Sequence, residues 1–71
     1  MKLMLDPGHG GHDPGAVANG LREKDLTLDI VQRIRRILQA EYRDVEVRLT
    51  RDTDTAVSLS QRAAMANQWG A

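Results

Sequence analysis

Apolar and polar positions fall into four successive patterns along the chain. Lys2-Leu3-Met4-Leu5 is a short apolar run closed by Asp6-Pro7-Gly8, which predicts a strand covered on both faces, as central parallel strands are. From Leu21 to Tyr42 the period changes. Leu26, Ile30, Ile34, Ile37 and Leu38 recur at spacings of three and four, with Val31 flanking and charged residues on the opposite face, so a long helix is predicted there, running out near Tyr42 to Asp44. Glu23 and Asp25 stand in or just before its first turn, where negative charge suits the helix dipole. Asp44 to Thr50 then alternates strictly: Val45, Val47 and Leu49 share one face of a strand, Glu46 and Arg48 the other. Ser58 and Gln61 match a capping box, Leu59, Ala63 and Ala66 form a small apolar stripe, and Gly70 supplies a stop, which predicts a second helix over about Ser58 to Gln68.

Strand, helix, strand, helix is an α/β pattern whose two strands should be parallel with a right-handed crossover. Two parallel strands are fewer than a stable sheet normally needs, and the second helix leads toward a third strand that the sequence does not contain. The expectation is therefore the β-α-β-α front part of an open, mainly parallel sheet domain, incomplete at its carboxyl end and occupying residues 1–71. Length agrees with a thin core. There is no Phe, one Trp and one Tyr, so Leu, Ile, Val, Met and Ala must build it. Absence of cysteine excludes disulfides and thiolate metal sites, leaving His, Asp and Glu as strong ligands. Ten basic and ten acidic residues cancel, which argues against nucleic acid or an anionic membrane as the main partner. The run Leu3 to Leu5 is too short for a signal peptide or a membrane span, so no Sec signal is expected in the chain. Exposed strand edges would offer a route to self-association.

The chemistry concentrates in Leu5 to Ala16, which holds both histidines, four glycines and two prolines directly after the first predicted strand. A loop of this composition at the carboxyl end of a buried strand is where open α/β sheets place their sites. His9 lies just past the strand and Glu23 opens the long helix on the same edge, so the two can converge as a zinc half-site. By spacing alone the simpler reading weighs more: a loop histidine bonded to backbone and a carboxylate favoured by the helix dipole. His12 is expected to be solvated, because Gly10 and Gly11 leave the His9-x-x-His12 geometry undefined. Asp6 and Asp13 are either carboxylates that orient an imidazole from behind or formers of the two Asp-Pro turns. A phosphate loop fails in detail, since Asp13 stands where a third glycine is needed. Arg51 and Arg62 are expected in salt-bridged surface positions, with Arg51 also a candidate for the shell behind the ligands, and Trp69 as a packing anchor.

These residues carry a family likeness. Leu5-Asp6-Pro7-Gly8-His9-Gly10-Gly11, Asp13-Pro14-Gly15-Ala16, Glu23-Lys24-Asp25, Leu49-Thr50-Arg51 and Leu59-x-x-Arg62-x-x-x-Ala66-Asn67 together resemble the zinc-dependent N-acetylmuramoyl-L-alanine amidases of the Amidase_3 type, in particular the Bacillus-type sporulation and cell-wall-lytic enzymes. The resemblance covers essentially the whole chain and shifts the weight for His9 and Glu23 to zinc. It implies a peptidoglycan hydrolase that cleaves the amide between N-acetylmuramic acid and L-alanine, with Zn2+ as cofactor and an extracellular or cell-wall location. It also implies a third ligand, a histidine at a Ser-Ile-His-x-Asn-like strand end, and a late catalytic glutamate. Neither is present, so no catalytic residue is assigned within the chain and the 71 residues alone are expected to be inactive. A non-catalytic muropeptide-binding module is the alternative.

Overall fold

A computed structural model describes all 71 residues. Strand β1 (Lys2–Leu5) pairs in parallel with β4 (Glu46–Leu49), with Leu3 opposite Val47 and Leu5 opposite Leu49. Between them lie β2 (Val17–Ala18), β3 (Leu21–Arg22) and helix α1 (Glu23–Glu41), and the chain continues into α2 (Leu59–Trp69). The α/β reading with a parallel pair joined through a long helix is therefore correct. The small antiparallel hairpin β2–β3 was not anticipated, although its turn was legible: Asn19 and Gly20 both take positive φ, at 52° and 76°, as a two-residue hairpin turn demands.

Helix α1 starts without a side-chain cap. Instead, the N–H groups of Glu23 and Lys24 donate to the carbonyls of Ala16 and Pro14 at 2.9 and 3.0 Å, so the loop satisfies two of the four unpaired donors of the first turn. Helix α2 is capped as predicted. Ser58 Oγ accepts from the Gln61 N–H at 3.1 Å, Gln61 Oε1 accepts from the Ser58 N–H at 2.9 Å, and Gly70 ends the helix in the left-handed region. Trp69 is half-buried, with the Arg48 guanidinium 4.5 Å and the Lys2 ammonium 5.6 Å from its ring centroid, so it does anchor α2 to the sheet.

Packing departs from the sequence pattern in one respect. In α1 Lys24 is buried, and Glu23, Thr27, Leu28, Val31, Gln32, Arg35 and Leu38 are half-buried. The stripe Leu26, Ile30, Ile34 and Ile37 lies on the other side and stays 40–55% exposed. Periodicity shows that positions share a face; it does not show which face a neighbouring layer covers. Pro7 is the one fully buried apolar side chain, no aliphatic or aromatic residue is buried, and Lys24, Thr50, Arg51 and Arg62 are the buried polar residues. They cluster where the strands end. No helix is long and apolar enough to cross a membrane.

Candidate functional site

The segment after β1 folds back on itself. Gly10 and Asp13 exchange two backbone hydrogen bonds, N–H to carbonyl, at 2.8 and 3.0 Å, and this returns Asp13 to the side of His9. His9 takes φ 65°, a conformation that costs an L-residue roughly 1–2 kcal/mol. Its Nδ1 lies 2.9 Å from Asp13 Oδ2, whose partner oxygen Oδ1 accepts from the Gly15 N–H at 3.1 Å. Its Nε2 lies 3.2 Å from Glu23 Oε2. Glu23 is the first residue of α1 and is held by its other oxygen: Oε1 accepts from the Ala16 N–H at 2.9 Å. Strand exit and helix start thus bring together two side chains fourteen positions apart. Gly15, at φ 67°, closes the turn over them. A Cβ there would stand 2.7 Å from both Glu23 Oε1 and His9 Cδ2, so the position admits no side chain without moving the pair.

Charge follows the geometry. The hydrogen bond to Asp13 raises the His9 pKa, aided by the Asp13 and Glu23 charges and opposed by desolvation. The same hydrogen bond holds the Asp13 carboxyl below its ordinary value, with the Gly15 N–H adding to it. For Glu23 the Ala16 N–H is the main cause of a lowered pKa, followed, against desolvation, by the His9 charge.

Behind the pair, the backbone of residues 7–9 is held by two buried guanidinium groups. Arg51 Nε donates to the Pro7 and His9 carbonyls at 3.1 and 2.8 Å, and Nη2 to the Gly8 and Lys24 carbonyls at 2.9 and 3.0 Å. Arg62 donates to the Pro7 and His9 carbonyls at 2.7 Å each, to the Val57 carbonyl at 3.0 Å and to the Asp6 carboxylate. The expectation of surface positions is corrected here: Arg51 and Arg62 are only 5% and 8% exposed, because the strand-end loop presents a concave array of carbonyls that needs donors. Asp13 lies within hydrogen-bond distance of the imidazole. Asp6 does not. Its carboxylate accepts from Thr50 Oγ1 at 2.8 Å and from Arg62, and so reaches His9 only through the guanidinium. His12 is exposed, as expected, and lines an open cleft of about 640 Å3 with Asp6, His9, Asp13, Ser58 and Arg62.

Sequence reasoning passed over Lys24. Buried in the first turn of α1, it donates to the Gly11 carbonyl at 3.0 Å and to Asp54 Oδ2 at 2.8 Å, while Asp54 Oδ1 accepts from the Gly11 N–H at 2.7 Å. The far end of the loop is thereby tied to the β4–α2 connection. Its signal was its place in the Glu23-Lys24-Asp25 motif, where a charged residue otherwise reads as an ordinary helix start.

Two donors converge and no more: no group of three or more His, Asp or Glu side chains is arranged to hold a metal ion. The fold and this pair define an α/β protein with a histidine–carboxylate pair at the carboxyl edge of a parallel sheet. Residues 3–71 match the N-acetylmuramoyl-L-alanine amidase family, Amidase_3, and the chain belongs to it. It is 54% identical over 71 residues both to the N-acetylmuramoyl-L-alanine amidase CwlM of Bacillus licheniformis and to the sporulation-specific N-acetylmuramoyl-L-alanine amidase of Bacillus subtilis strain 168. All of this chain is covered, but only 28% of either relative. Among solved structures, the amidase AmiC2 of Nostoc punctiforme superposes with a TM-score of 0.91 at 42% identity, over 100% of this chain and 39% of that one. The catalytic domain of CwlV from Paenibacillus polymyxa gives 0.94 at 35% identity, over 99% and 40%.

Proposed function

We propose that this chain supplies two of the metal donors, His9 and Glu23, of a peptidoglycan hydrolase acting on the amide between N-acetylmuramic acid and L-alanine, in an extracellular or cell-wall setting. The observation that carries the reading is the 3.2 Å separation of His9 Nε2 and Glu23 Oε2. Two donors about 2.0–2.2 Å from one tetrahedral zinc ion lie about 3.4 Å apart, so the pair fits a single ion with little adjustment. The donor chemistry fits as well. In the tautomer whose Nδ1–H donates to Asp13, Nε2 would be free to bind an ion shared with Glu23, and a carboxylate behind the imidazole is the partner that zinc-bound histidines usually have. Glu23 divides its oxygens in the same way, one fixed by the Ala16 N–H and one free toward the site.

When bound, zinc supplies a Lewis acid and lowers the pKa of a coordinated water. The chain's own residues hold the donors. Asp13 fixes the imidazole tautomer, Ala16 and the helix start fix the carboxylate, and the open cleft beside His9 gives the substrate amide an approach. With two donors and no third in reach, the 71 residues are expected to bind zinc weakly and not to turn over peptidoglycan. Zinc titration by calorimetry, comparing the chain with its His9→Ala and Glu23→Gln variants, tests the assignment. Both variants should lose most of the binding; affinity equal to the unaltered chain would remove the basis of the proposal.

A further inference from the structure

Arg51 has no carboxylate partner. Five salt bridges occur in the protein and none includes it, yet it is buried: the Asp54, Asp25 and Asp6 charges act on it only from a distance, and every hydrogen bond it makes goes to an oxygen dipole. Those dipoles come from three separate segments. The carbonyls of Pro7, Gly8 and His9 belong to the loop after β1; the Lys24 carbonyl and Thr27 Oγ1, the latter at 3.3 Å, belong to the first turn of α1; the Thr53 carbonyl, 2.9 Å from Nη1, belongs to the β4–α2 connection. One planar group therefore bonds the carbonyl of His9 itself and that of the residue following Glu23. Among side chains outside the two donor-bearing segments, it is the one that bonds the backbone of both.

We infer that Arg51 is the positioning residue that sets the separation of His9 and Glu23, by spanning the backbone of the strand exit and the helix start with one rigid fork. The inference rests on the reading of His9 and Glu23 as metal donors. Three details favour it over simple packing. His9 sits in a strained left-handed conformation that persists only when the surroundings hold it, and Arg51 and Arg62 both seize its carbonyl. Thr27 Oγ1, which donates to the Gly8 carbonyl at 2.8 Å, stands beside Arg51 Nη2 and repeats the link from helix to loop. Gly10 leaves no space for slack: a Cβ on it would lie 2.7 Å from Arg51 Nε. A lysine keeps charge and stem but is a point donor that cannot span both segments.

The test compares the full chain with Arg51→Lys and His9→Ala. Three quantities are read for each: calorimetric zinc affinity, the visible spectrum of bound Co(II), and metal-free thermal unfolding, which gives the folded fraction. Loss of an outer-shell partner typically weakens metal binding by about 10- to 100-fold. Arg51→Lys is expected to show that loss and a displaced Co(II) spectrum while its metal-free form remains folded. A lowered unfolding temperature with unchanged zinc affinity per folded molecule and an unchanged Co(II) spectrum would assign Arg51 a structural role only and overturn the inference. Equal zinc affinity of the unaltered chain and His9→Ala is a different failure, that of the metal reading beneath it. Should Arg51→Lys not fold, Thr27→Val replaces it, removing only the hydroxyl between Arg51 and Gly8. A several-fold loss of zinc affinity with unaltered circular dichroism then supports the inference, and unaltered affinity overturns it.

Discussion

Two regions of this protein invert the usual relation between polarity and burial. Around the strand ends, Lys24, Thr50, Arg51 and Arg62 are buried, every one hydrogen-bonded, and no buried side-chain polar atom lacks a partner. Along the outer side of α1, Leu26, Ile30, Ile34 and Ile37 stand in water. The first region is held by directed bonds to fixed carbonyls, and those bonds place side chains to a fraction of an ångström. Hydrophobic contact is non-directional and cannot do this. The comparison teaches that the part of the chain held by directed bonds is the part that positions the candidate site.

That contrast can be broken by substitution, and the largest effect is expected at Arg51. Arg51→Met leaves the Gly8, Lys24 and Thr53 carbonyls without this donor and should destabilise by about 3 kcal/mol, as loss of buried partners to charged groups commonly does, measured by urea denaturation. A change under about 0.5 kcal/mol, the range of an ordinary surface site, would show that water replaces the guanidinium at no cost. Next is Gly15→Ala. The new methyl meets His9 and Glu23 together and the left-handed φ adds roughly 1–2 kcal/mol, so both the unfolding temperature and zinc affinity should fall. Wild-type zinc binding would mean the pair yields freely.

Acid probes the second tie of the loop. The Lys24 hydrogen bond, then the Gly11 N–H, lower the Asp54 pKa below 3.8, against desolvation, with the Lys24 and Arg51 charges acting in the same sense. A carboxylate whose folded pKa lies below its unfolded one stabilises fully above the unfolded value, and this contribution is lost as pH falls through the folded value. Asp54→Asn should accordingly remove part of the loss of stability below about pH 4, seen as a shallower decline in unfolding temperature between pH 5 and roughly 2.5; an unchanged profile would dismiss the tie. The smallest effect belongs to the wet face. Ile34→Gln should alter the stability of this chain by no more than about 0.5 kcal/mol, whereas Leu28→Ala, on the covered side of α1, should cost about 1 kcal/mol or more. Equal costs in urea denaturation would erase the distinction between the two faces.

Much of the frame was legible beforehand because it is local. Apolar period marked β1, α1 and β4, the Ser58 and Gln61 spacing marked the cap of α2, and the position of Gly70 marked its end. The meeting of His9 and Glu23 followed from βα connectivity, which places strand exits beside helix starts, and the family motifs suggested the chemistry proposed for the pair. What escaped was whatever depends on a third segment. Arg51 and Arg62 look like surface charges until the loop carbonyls surround them, Asp6 looks like an imidazole partner until Arg62 takes it, and Lys24 looks like part of a helix cap until Gly11 and Asp54 close over it.

The sequence by itself determined the order strand, helix, strand, helix, the ends of those elements to within a few residues, and that His9 and Glu23 share the sheet's carboxyl edge, because these follow from backbone propensity and side-chain period over neighbouring residues; the β2–β3 hairpin, with Leu21 and Arg22 in a strand and not in the helix, escaped it. Only the tertiary structure decided which face of α1 is covered and that cationic side chains fill the interior of the site. Burial of a charge is favourable only where fixed dipoles already converge, and such convergence is a property of distant segments in space, here residues 7–9, 24–27 and 51–53, that no local pattern records.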